Sequence, residues 1–169
     1  MRDYNSKYHF NNILEGNEQM FGTYLIHQIG ELYCQKDSII PNHLQYCSEI
    51  TYVVSGKGTS IINGIEFPLQ KGTVNVCFPS DTHAIISDKN NPLRYYFLGF
   101  TVTQKNVLYS NHQDLIERNG KNIRNIIDSN KIIEDIFVKS LSEFLSPNEF
   151  SKMIVESYIN EMEIIMNNQ

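Results

Sequence analysis

The sequence is poor in features that would tie a chain to a membrane, a disulfide scaffold or a nucleic acid. It has no apolar run approaching the ~18–20 residues that a membrane-spanning helix needs. The polar start Met1-Arg2-Asp3-Tyr4-Asn5 lacks the hydrophobic stretch of a secretory leader. The three cysteines, Cys34, Cys47 and Cys77, lie far apart with no Cys-x-x-Cys spacing. That pattern predicts reduced thiols and a cytoplasmic setting rather than a disulfide framework or a zinc site. Positive charge is also scarce, with 14 Lys and Arg against 19 Asp and Glu for a net charge of −5 and no basic cluster longer than two residues. Binding to phosphates draws on a Lys and Arg surplus, so this chain by itself is expected not to bind DNA. No G-x-S-x-G elbow, phosphate-cradling glycine loop or internal repeat is present, and nothing activates Ser48 beside Glu49, so no catalytic set stands out.

What is present is an ordinary globular composition, 41% hydrophobic and 20% charged over 169 residues. That length fits one domain with an appendage, or two small units. Residues 1–20 read as an irregular N-terminal arm carrying Tyr4, Tyr8 and Phe10. From Phe21 to Cys34 the text becomes β-like, with aromatics expected to pack. Short apolar runs then alternate with turn signals: Ile50–Val54 ends at Ser55-Gly56-Lys57-Gly58, and Thr59–Ile62 faces Ile65–Leu69 across Asn63-Gly64. Asn-Gly between two such runs is a strong hairpin signal, because both residues tolerate positive φ. Thr73–Phe78, His83–Ser87 and Arg94–Phe100 complete the set, separated by Pro79-Ser80-Asp81-Thr82 and the loop 88–92. Many short strands with regular turns predict a sandwich or barrel over residues 21–110.

After about residue 110 the period changes. Ile132, Ile133, Ile136, Phe137, Leu141, Phe144 and Leu145 form one helical stripe, while residues 111–130 read as a loop with one short helix. Ser146-Pro147-Asn148-Glu149 predicts a capping box that starts a second long helix, with Ser146 as N-cap. The apolar surface of that helix is wider than one contact requires. Phe150, Ile154, Tyr158, Met162 and Ile165 are therefore expected to pair with the same helix of another subunit, making residues 111–169 a helical dimerisation segment.

The polar residues that stand out are His43, Gln45 and Glu49, at odd positions that would share one strand face, and His83 after the Pro79 turn. Two readings stay open. His43, Glu49 and His83 would suit a divalent metal, for which the Gln45 amide is a poor ligand. The same groups, with Gln45, form a hydrogen-bonding inventory that matches a hydroxylated molecule such as a sugar.

The spacing His43-x-Gln45, Glu49, six residues, Gly56, then Gly72 and Pro79-x-x-x-His83, resembles the two motifs of the cupin superfamily. More narrowly, residues 48–85, the arginine–aromatic strand 91–100 and the trailing helices resemble the N-terminal sensing domain of AraC-type transcription regulators. The resemblance implies a mainly β fold, a cupin jelly-roll barrel followed by two or three C-terminal α-helices. It implies a small-molecule effector in the barrel and a homodimer formed through the helices. It also implies that DNA is bound only by helix-turn-helix units beyond residue 169, so the chain is expected to be part of a longer protein. Ile85, Tyr95 and Phe97 correspond to pocket-lining positions in that family, although core packing is the plainer role for Ile85 and Phe97. Gln45 and Ser80 depart from the motifs, where a histidine and a glycine are common, and Gln45 tips the balance from metal to recognition. The expected function is effector sensing and dimerisation without catalysis, metal or cofactor. The alternative is a metal-dependent cupin isomerase or dioxygenase.

Overall fold

A computed structural model describes residues 8–103 and 124–168. Two antiparallel sheets and two helices form three layers. The larger sheet runs in the order β1 (Tyr8–Asn12), β3 (Tyr24–Cys34), β10 (Arg94–Val102), β5 (Ser48–Ser55), β8 (Thr73–Cys77), β11 (Asn125–Ile127), with β2 (Gln19–Phe21) also paired to β3. The smaller sheet is β4 (Ile39–Leu44), β9 (Thr82–Ser87), β6 (Lys57–Ile62), β7 (Ile65–Gln70). Helices α1 (Ile132–Leu145) and α2 (Ser151–Asn167) cover the outer face of the larger sheet. This is the mainly β cupin-type jelly roll followed by helices.

The larger sheet is the middle layer, and this explains the near-continuous apolar text of β5 and β10. Alternate residues of a strand face opposite ways, so a strand buried on both sides needs apolar groups at nearly every position. One face of β5 and β10 supplies Ile50, Tyr52, Leu98 and Phe100 to a core shared with Ile133, Ile136 and Phe137 of α1 and with Val155, Ile159 and Met162 of α2. The other face supplies Val53, Tyr95 and Phe97 to a second core between the sheets, with Leu32, Leu69, Ile85 and Leu93. Tyr95 therefore faces the inter-sheet space, while its neighbour Tyr96 stacks on Phe137 of α1 at 5.9 Å between ring centroids.

The Asn63-Gly64 hairpin forms as expected between β6 and β7, with φ of 50° and 79° at the two turn residues. Four expectations differ from the structure. The N-terminal arm is not irregular from residue 8 onward, because Tyr8–Asn12 and Gln19–Phe21 are edge strands on β3. An edge strand has one ladder and little buried surface, so its composition carries a weak signal. Asn125–Ile127, expected within a loop and helix, pairs with β8, so the helical part begins at Ile132; residues 111–123 lie outside the described residues. The third expectation concerns the capping box, which does not form. Ser146 ends α1 and α2 starts at Ser151, with Asn148 Oδ1 accepting from the Phe150 N–H at 2.8 Å and the Ser151 hydroxyl donating to Glu143. The Asn148 side chain offers the backbone a turn that competes with helix initiation at Pro147. Finally, Met162, expected at a subunit interface, is fully buried in this chain's own core.

Candidate functional site

The inter-sheet space holds a cavity of about 270 Å³. Its location follows from the pleat: the inward-facing positions of β3, β5 and β10 meet those of β4 and β9. His43 and His83 are a directly opposed cross-strand pair in β4 and β9, Glu49 comes from β5, and Tyr95 and Phe97 come from β10. With Ile85 these are six of the seven residues expected from sequence, and all six line the cavity. Gln45 does not line it. The chain leaves β4 at Leu44, and Gln45 is buried beside the second-motif turn, its N–H donating to the Asp81 carbonyl and its C=O accepting from Ser80 N–H. Alternation along a strand holds only while the strand lasts, and here it stops one residue too early.

Sequence reasoning missed five lining residues: Tyr8, Phe10, Gln28, Leu32 and Ile40. Tyr8 and Phe10 come from β1, so the N-terminal segment forms one wall, with Phe10 stacked on Phe97 at 4.6 Å and 11°. Gln28 is aimed inward by a β-bulge. Opposite Gly99 stands Gln28 but opposite Phe100 stands Ile26, so His27 is the extra residue and the inside–outside parity of β3 reverses across it. A register shift of this kind leaves no mark in the sequence.

The polar groups are tightly committed to one another. Gln28 Nε2 donates to Glu49 Oε2 at 2.5 Å. Burial pushes the Glu49 carboxyl above its ordinary range, opposed by hydrogen bonds from Gln45 and Gln28 and by the nearby His43. Burial, reinforced by His43, pushes His83 down to about 4, so His83 is neutral at pH 7. Tyr95 is held well above the usual phenol range by burial and by Glu49, so it stays a neutral hydroxyl.

His83 is the neutral member of the histidine pair, and the contacts of both rings are short and specific. His43 Nδ1 lies 2.9 Å from the Pro41 carbonyl oxygen, which can only accept, so Nδ1 carries the proton. His43 Nε2 and His83 Nε2 share one hydrogen bond at 2.8 Å. The other ring nitrogen of His83, Nδ1, faces the Cys77 thiol 3.4 Å away, whose own ionisation burial suppresses.

This order bears on the metal that the cupin fold brings to mind. A metal ligand must offer a lone pair, and a metal here would have to displace the hydrogen bond between the two rings and the contact to Cys77. Among the described residues no three His, Cys, Asp or Glu side chains are grouped to hold a metal ion. As they stand, these donors are engaged with one another rather than grouped as a metal-binding set.

Together the two-sheet barrel and its buried polar group define a cupin-like domain with an internal site. Residues 25–105 match the family model described as the AraC-like ligand binding domain. No curated protein matches the chain in sequence. Among solved structures, the chain is similar to the cupin domain of Cnp3 from Schizosaccharomyces pombe, at 14% identity, covering 63% of this chain and 76% of that one with a TM-score of 0.42. It is also similar to the cupin domain of an XRE family transcriptional regulator from Enterobacter cloacae, at 12% identity over 56% of this chain and 96% of that one, TM-score 0.46. Salicylate 1,2-dioxygenase from Pseudoaminobacter salicylatoxidans shows 18% identity over 55% of this chain and 23% of that one, TM-score 0.41. No helix among the described residues is long and apolar enough to cross a membrane.

Proposed function

We propose that this chain is the effector-sensing and dimerisation part of an AraC-type transcription regulator, in which a small polar molecule occupies the inter-sheet cavity and no reaction is catalysed. The observation that carries the reading is the cavity itself, an internal space where Glu49, Gln28 and Tyr95 converge among apolar walls in a stretch that matches a ligand-binding family. A sugar is the first example to test. The arm strand β1 supplies Tyr8 and Phe10 to the cavity wall, which makes it the element whose packing a ligand would alter. A ligand shifts such an equilibrium only by its differential affinity for the two packings. DNA binding would belong to further units outside this sequence, and the setting would be cytoplasmic.

For dimerisation, Phe150, just before α2, is 57% exposed, and Ile154, Tyr158 and Ile165 along the helix are half-buried, with Met153 and Ile164 adding exposed apolar surface. The inward placement of Met162 removes it from that contact. The test is a thermal-shift screen of sugars and other small metabolites on the chain, Tyr95→Phe and Glu49→Gln. A ligand that raises the midpoint of the wild type, and raises that of the variants less, supports the reading. If the variants respond as the wild type does, the cavity is not the effector site.

A further inference from the structure

We infer that the cavity is built for an organic cation, a small amine with an apolar body, whose ammonium group sits against Glu49 inside an aromatic enclosure. The inference rests on the proposal that the cavity takes the effector, and it narrows the effector's class away from sugars.

Three observations carry it. First, Glu49 is the one carboxylate in the cavity lining, and among the described residues no lysine or arginine lines it; the bases beside it are His43 and the neutral His83. Its anionic form accepts from the Gln28 and Gln45 amides, yet a carboxylate offers about four acceptor positions, so capacity remains for a donor. A buried carboxylate without a counter-charge is costly, and a ligand that brings a positive charge removes that cost. An anionic ligand would add to it.

Second, four aromatic rings line the same space: Tyr8, Phe10, Tyr95 and Phe97. The face of an aromatic ring attracts ammonium groups, and several rings around one carboxylate combine both sources of attraction. Third, the remaining polar groups are poorly placed for a polyol. The two histidines spend their inward hydrogen bonds on each other and on Cys77, and Gln28 spends an amide hydrogen on Glu49. What is left is one carboxylate, the Tyr95 phenol and apolar walls, which suits one charged head on an apolar body better than a ring of hydroxyls. The volume of about 270 Å³ is at the small end of ligand pockets, roughly 300–1,000 Å³, and suits a compact molecule.

The experiment is calorimetric titration of the whole chain with 2-phenylethylamine, its neutral counterpart 2-phenylethanol, the acid phenylacetate, and glucose. The amine is expected to bind about tenfold or more tightly than the alcohol, since hydrogen bonds to charged groups exceed neutral ones by that order. Glu49→Gln should erase this difference while leaving the thermal midpoint near wild type, and Phe97→Leu should weaken the amine and the alcohol alike. An alcohol, acid or sugar that binds as tightly as the amine overturns the cation assignment. If that ligand's affinity still falls in Tyr95→Phe, the cavity remains the effector site and only its class was wrong. Binding by none of the four at millimolar concentration also overturns the assignment, and the wider screen then decides the effector reading separately. An amine preference that survives Glu49→Gln overturns it as well.

Discussion

Asp81 and Arg124 form a buried ion pair that ties the β8–β9 turn to the start of β11, with Arg124 Nη2 3.1 Å from Asp81 Oδ1 and only 14% and 8% of the two side chains exposed. The Asp81 carboxylate also accepts from the Phe78 N–H and from the Asn63 amide, so it is fully engaged. Burial alone would raise this carboxyl, but those hydrogen bonds and the Arg124 charge hold it below the usual range. Removing one partner of a buried pair strands the other. Asp81→Ala should therefore cost about 3–5 kcal/mol of unfolding free energy, measured by urea titration. The double variant Asp81→Asn with Arg124→Met should cost less than the sum of the two singles.

His83 makes stability depend on pH in a predictable direction. Its folded value of about 4 lies below the ordinary 6.5, so between these pH values the unfolded chain binds a proton that the folded chain does not. Stability is fully present above about pH 6.5 and falls as pH drops toward 4, by up to about 3 kcal/mol from this group. Glu49 acts with the opposite sign, because its raised value favours the folded state where it is protonated and withdraws that contribution as pH rises. The check is urea unfolding at pH 7 and pH 5 for the wild type and His83→Gln. The variant should lose most of the difference attributable to this residue, and an unchanged slope would refute the assignment.

Glu156 of α2 latches the β2–β3 turn, accepting from the Thr23 N–H at 2.9 Å and from its hydroxyl at 3.1 Å. Gly22 has φ of +57°, and a Cβ added there would lie 1.9 Å from the Glu156 carboxyl carbon. Gly22→Ala should cost about 1–3 kcal/mol, part from backbone strain and part from displacing the latch. Combined with Glu156→Ala it should cost less than the two separately, because the displacement is no longer felt. A thermal-denaturation double-mutant cycle reads the coupling.

The proposed dimer separates from stability through two α2 positions. Phe150→Asp should convert a dimer to a monomer in multi-angle light scattering with little change in thermal midpoint, because Phe150 is 57% exposed. Met162→Ala should lower stability by about 2–5 kcal/mol, as Met162 is fully buried. A wild-type monomer at tens of micromolar would remove the proposed role of this helix.

The fold was legible because its signals are local. Asn63-Gly64, the glycine-closed runs and the change of period near Ile132 each mark an element boundary by chemistry alone. The cavity residues Glu49, His83, Ile85, Tyr95 and Phe97 were legible for the same reason, since each sits in an unbroken strand where parity can be counted. Parity failed at Gln28, beyond the bulge at His27, whereas Gln45, past the end of β4, still reaches Glu49 without lining the cavity. The edge strands β1 and β2 were hidden by their length and exposure, and Ser146-Pro147 mimicked a helix start that Asn148 replaces with a turn.

Because Tyr95 and Tyr96 are consecutive in β10, the cavity and the helical layer are separated by the thickness of a single strand. No relay of intervening side chains is needed for the two to sense each other. If the proposed effector tilts β10 by pressing on Tyr95, the ring of Tyr96 moves against Phe137 in the same motion, and the pose of α1 becomes the readout of occupancy.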